Sequence, residues 1–112
     1  MDSILDCIKK MLGIDIDCTH FDTEIILNIN SVFMVLNQLG VGPETGFIIS
    51  DNTETWSDLL GERIDLEAVK TYIYLKVRLL FDPPSSSFVL DSIDRQITQF
   101  EWRLNAQAEG GN

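Results

Sequence analysis

"VRLLFDPPSSSFVLDSIDRQITQFEWRLN" (residues 77–105) decides the fold. Its apolar residues run at helical spacing, halt at Pro83 and Pro84, and resume beyond Ser85, Ser86 and Ser87. Proline lacks a backbone N–H and disfavours helical geometry in the residue before it, so the first helix must end near Asp82. The serines offer caps for a second helix, whose Leu90, Ile93, Ile97, Phe100 and Leu104 fall on one stripe. The short connection makes the two helices an antiparallel pair. Trp102 lies about half a turn from that stripe, beside Arg95 and Gln99, so a tryptophan is aimed away from its own core.

Upstream, the helix that the prolines end begins at Asp65. Leu66, Val69, Ile73, Val77 and Leu80 form one apolar arc and Ala68, Tyr72, Leu75 and Leu79 a second, the pattern of a central helix covered on two sides. Lys76 falls between the arcs and is expected to reach solvent or a carboxylate. A long helix spans Asp22 to Leu39, capped by Asp22 or Thr23, with Glu24 in its first turn and Gly40 as its stop. Ile25, Ile29, Val32, Phe33, Leu36 and Leu39 face one way. Leu27 and Met34, seven residues apart, fall nearly opposite, among Asn30, Ser31 and Gln38.

Ile4, Leu5, Ile8, Met11 and Leu12 define a short amphipathic helix from Asp2 to Leu12, stopped by Gly13. "IDIDCTHF" (residues 14–21) reads as a linker. Residues 40–54 are the least regular part, with Gly40, Gly42, Pro43 and Gly46 ahead of a short strand expected at Phe47–Ile49. Thr55 and Asp58 then make a capping-box start for a short helix closed by Gly61. "AQAEGGN" (residues 106–112) has nothing to bury and is expected to be a mobile tail. The expectation is a mostly α chain: one domain over residues 1–105, a small bundle of four to five helices with one long irregular loop.

Composition narrows the function. A chain of 112 residues suits one core and leaves little room for an interdomain cleft. With 18 acidic residues against 8 basic ones, the formal net charge is -10, which repels phosphate and argues against gripping DNA. The start, "MDSILDCIKKML", has neither the basic stretch nor the cleavage site of a secretory signal, and no apolar run could span a bilayer, so cytoplasmic synthesis is expected. In a reducing compartment Cys7 and Cys18 are expected to pack as small hydrophobic residues.

No catalytic constellation is legible. His20 is the single histidine, and Cys18 with His20 and a distant Cys7 falls short of the four ligands of a structural zinc site. Pairs such as Asp15 with Asp17, or Glu62 with Asp65, are what so many carboxylates on a small protein produce. "GVGPETG" (residues 40–46) lacks the spacing and the lysine of a phosphate loop and follows a helix. Neither catalysis, metal nor cofactor is expected. Binding surfaces are the better prospect: Leu27, Met34 and Trp102 project off the core faces, with Phe47 and Ile48 in the long loop and Arg95 beside Trp102 as further interface candidates. The same residues could instead be covered within one subunit by the first helix or the loop.

The strings "FDTEIILNINSVFMVLNQLGVGPETGF", "TETWSDLLG" and "VKTYIYLKVRLLFDPPSSSFVLDSIDRQITQFEWRLN" resemble the head-tail connector family of tailed bacteriophages and prophages, from about Asp2 to Asn105. The most specific piece is "YLKVRLLFDPP" followed by a helix closing on "EWRLN". The resemblance implies a structural virion protein without catalysis, made in the bacterial host and located at the head-tail junction. It implies subunits that form a ring, twelve-fold to match the portal, which completes the head, receives a tail-side connector or stopper, and lets DNA pass without specific binding. An acidic soluble adaptor, or a DNA mimic that occupies a basic partner, stays open as the alternative and would require carboxylates arrayed along one face.

Overall fold

The computed structural model describes residues 3–43, 45–61 and 66–110, the last four as backbone only. Five helices follow one another: α1 (Ile4–Met11), α2 (Asp22–Gln38), α3 (Trp56–Leu60), α4 (Leu66–Phe81) and α5 (Ser87–Gly110). No strand occurs among the described residues, so the mostly α expectation holds. The body is flat, 40 × 35 × 20 Å.

The central helix is α4, packed against α1, α2 and α5. Val69, Tyr72, Ile73, Leu75 and Val77 are buried in both of its arcs, and they meet Ile25, Ile29, Val32, Phe33 and Leu36 of α2 and Ile93, Ile97 and Leu104 of α5 in one core. Lys76 reaches Glu101 at 3.9 Å, the second of the two outcomes expected of it. Tyr72 donates its hydroxyl proton to the same carboxylate at 2.7 Å, so a buried hydroxyl and an amine from α4 converge on one side chain of α5. Burial, and then the Glu101 carboxylate, push the Tyr72 phenol far above its ordinary range, because both disfavour a phenolate.

Several expectations need correction. The residues at 47–49 form no strand, because Asn30 already supplies both hydrogen-bonding groups that a strand partner would offer to Ile49. The α2 helix starts behind Phe21, with no side-chain cap. Phe21 sets its ring edge-on to Phe81, 5.4 Å between centroids, while Asp22 turns to an ion pair with Lys9. Leu80, assigned to the main arc of α4, is 57% exposed, since in the last turn its neighbours Leu79 and Phe81 are the ones that pack on the core; Met11, at the end of α1, is exposed as well. The α5 helix continues through 106–110 instead of ending at Asn105, and residues 111–112 lie outside the described residues. The expected start of α4 at Asp65 also lies outside them.

Lys9 was not foreseen as a core residue, yet it is 1% exposed. Its ammonium donates to the carbonyls of Ile16 (3.0 Å) and Cys18 (2.7 Å) and forms an ion pair with Asp22 (2.8 Å). The lysine thereby fastens the linker 14–21 to α1 and the start of α2. Cys7 and Cys18 are free and half-buried. His20 is exposed, with its ring edge-on to Phe21.

Candidate interaction surfaces

Two exposed faces collect the side chains singled out above. The first is built on α2. Its buried residues lie on one side of the helix, and at about 100° per residue Leu27 and Met34 fall nearly opposite. Both are exposed, Met34 at 69%. Beside them runs the loop that Asn30 holds: its amide donates to the Ile49 carbonyl (3.0 Å) and accepts from the Ile49 N–H (2.8 Å). Ile49 is buried, so the clamp turns Ile48 outward, and Phe47 rests edge-on against Phe33 with centroids 5.4 Å apart. Phe47 is therefore half-buried and anchored.

Met34, Phe33, Phe47 and Ile48, with Asn37, Gln38 and Thr45 along the rim, enclose an open groove of about 510 Å³. Three of the six side chains proposed from sequence, Met34, Phe47 and Ile48, thus share one concavity, and Leu27 continues the face two turns towards the start of α2. The loop can descend here because Gly42 has φ +90° and a Cβ at that position would come within 3.0 Å of the Leu59 side chain.

Carboxylates border the loop. Glu54 accepts from the Ser50 N–H and hydroxyl, both at 3.0 Å, and Asp58 closes the foreseen capping box with Thr55. Asp51 accepts from the hydroxyl and N–H of Thr53, and the hydroxyl bond first of all holds its carboxyl below the usual range. These acids shape turns. Among the described residues no group of three or more His, Cys, Asp or Glu side chains is placed to hold a metal ion.

The second face belongs to α5. Trp102 is 74% exposed and Arg95 is exposed one heptad before it, so the structure sets both on the side turned from the core. Phe88, one heptad earlier again, is 78% exposed and was missed, although the spacing 88, 95, 102 was available to find it. Neither Arg95 nor Arg103 has an ion-pair partner among the described residues, whereas Lys9, Lys70 and Lys76 do. The two faces are carried on different helices: α2 and α5 each pack on α4, each presents the side opposite its own buried stripe, and their ends meet where Asn105 donates to the Leu39 carbonyl (3.4 Å).

The family model described as phage connector protein matches residues 4–111, almost the whole chain. The chain belongs to the phage connector protein family. No curated protein and no solved structure matches it. In this connector-family chain, no helix among the described residues is long and apolar enough to cross a membrane.

Proposed function

We propose that the protein is a structural head-tail connector subunit, without catalysis, that assembles into a twelve-fold ring beneath the portal. That ring completes the DNA-filled head and offers the surface to which a tail-side connector or stopper attaches. The observation that carries the reading is the pair of separate exposed apolar faces, Leu27–Met34–Ile48 and Phe88–Trp102, on a folded core that does not need them. A monomer with one partner needs one such surface; a ring subunit needs two unlike ones, because the contact between neighbours is patch against different patch and only rotation closes it.

The charge fits the same role. A net charge of -10 suits the wall of a passage through which DNA must slide without being held. The alternative of a DNA mimic finds less support, since Asp22, Asp51, Glu54, Asp58 and Glu101 are engaged in internal bonds and belong to different elements.

The test is the mass of the purified protein across a concentration series, alone and with portal-bearing heads that lack tails. Ring-sized particles or saturable binding to the heads are expected. A persistent monomer that ignores the heads would overturn the reading.

A further inference from the structure

We infer that neighbouring subunits join by seating Trp102 of one copy in the groove between Met34, Phe47 and Ile48 of the next. This rests on the connector reading and specifies the contact that the reading leaves open.

Fit is the first argument. The groove is open, apolar at its centre and lined by neutral polar groups at its rim, and its volume of about 510 Å³ exceeds that of an indole side chain. Trp102 stands 74% exposed on a regular helix, so it can enter without rearrangement of its own backbone. Its indole N–H requires an acceptor once water is excluded, and the side chain of Gln38 on the rim carries one.

Charge is the second. Two copies of a chain with net charge -10 repel at long range, so a contact between them favours the surfaces where the sign is locally reversed. The end of the α5 face at Trp102 is such a surface: Arg103 adjoins the tryptophan and Arg95 lies one heptad before it, both exposed and without ion-pair partners among the described residues, while Asp91 and Asp94 lie beside Arg95, away from Trp102. The complementary charge lies beyond the neutral rim, where the chain leaving Ile48 continues to Asp51 and Glu54, whose carboxylates the 50–55 turn holds in place. Apolar centre meets apolar centre, and the basic flank meets the acidic edge.

Direction is the third. Groove and tryptophan are unlike surfaces carried on different helices, so one contact leaves a free groove on one copy and a free Trp102 on the other. Such a contact propagates until rotation closes it.

The experiment uses two variants of the full chain, Trp102→Ala and Met34→Glu, each checked by its melting curve. Both positions are exposed, so both variants are expected to melt as the parent does. Each alone should lose self-association by about 30-fold or more, the scale of an interface hot spot. Mixed, they should form a one-to-one complex and nothing larger, because the pair retains a single intact combination: the groove of the Trp102→Ala chain with the tryptophan of the Met34→Glu chain.

The same mixtures are added to tail-less heads, so that assembly dependent on the portal is read too. Parent-like assembly of either variant, in solution or on the heads, overturns this pairing while leaving the connector reading intact. A mixture that shows no complex in either setting, from a parent that does assemble, overturns it as well. A parent that neither self-associates nor binds heads removes both readings together.

Discussion

The side chain of Asn30 satisfies both backbone groups of Ile49, its amide N–H donating at 3.0 Å and its carbonyl accepting at 2.8 Å, so one residue of α2 fixes a loop nineteen positions away. Asn30→Ala leaves the N–H and C=O of Ile49 without these partners and is expected to cost about 2 kcal/mol. Asn30→Asp keeps the acceptor but sets a carboxylate against the Ile49 carbonyl, and should cost at least as much. Chemical denaturation measures the loss. Limited proteolysis at residues 45–50 should show the loop released in both variants before the bundle unfolds.

Tyr72 ties alkaline stability to Glu101. Its phenol has a raised pKa in the folded protein, so its contribution is fully present below about pH 10, the ordinary tyrosine value, and is lost as pH rises above that. The parent's denaturation midpoint should therefore fall between about pH 9 and about pH 11 more steeply than that of Tyr72→Phe. At neutral pH the variant should be less stable by about 1.5 kcal/mol, the worth of a hydrogen bond to a charged acceptor. Equal slopes in the two proteins would remove Tyr72 from this role.

The Lys9–Asp22 pair should respond unequally to loss of each partner. Asp22→Ala strands a buried ammonium with only two carbonyls, for an expected loss of about 3 kcal/mol, at the low end for broken buried pairs because Asp22 is a quarter exposed. Lys9→Met fills the space with an apolar chain and leaves a carboxylate that is a quarter exposed although its inner oxygen is buried, so it should cost less, about 2 kcal/mol. Melting of the two variants side by side checks the order.

Ile73 and Leu80 lie on the same side of α4 by helical spacing, yet one is fully buried and the other exposed. Ile73→Asp puts a charge in the core and should prevent folding, whereas Leu80→Asp should change stability by no more than about 0.5 kcal/mol. Helical circular dichroism of both proteins separates these outcomes.

That contrast also marks how far the sequence could be read. Spacing gives a side chain's direction about its own helix, which is why the cores of α2 and α5, the turn at Pro83–Pro84 and the outward aim of Leu27, Met34 and Trp102 were legible. Spacing does not say which side chains of a terminal turn a neighbour covers, and Leu80 and Met11, in the last turns of their helices, are left exposed. Contacts made across loops were hidden for a related reason. Lys9 finds its carbonyls seven and nine residues on, and Asn30 finds Ile49 only once the chain has folded back, so a core lysine looked like a surface one and a clamped segment looked like a strand. The groove followed from that clamp. Its members Met34, Phe47 and Ile48 were named individually, but their meeting was not visible in their order.

The length of α5 has one more consequence. At about 1.5 Å per residue its 24 residues make a rod of about 36 Å, nearly the full 40 Å of the particle. Phe88 and Trp102 are two marks on this rod, about 21 Å apart and in phase, while Ile93, Ile97 and Leu104 are cut into its other side. A single residue inserted between the marks would advance everything beyond it by about 100°, carrying Trp102 off the outer face and Leu104 out of the core in the same stroke. Inner and outer registers are thus geared together, and any change of length that keeps one of them must keep both.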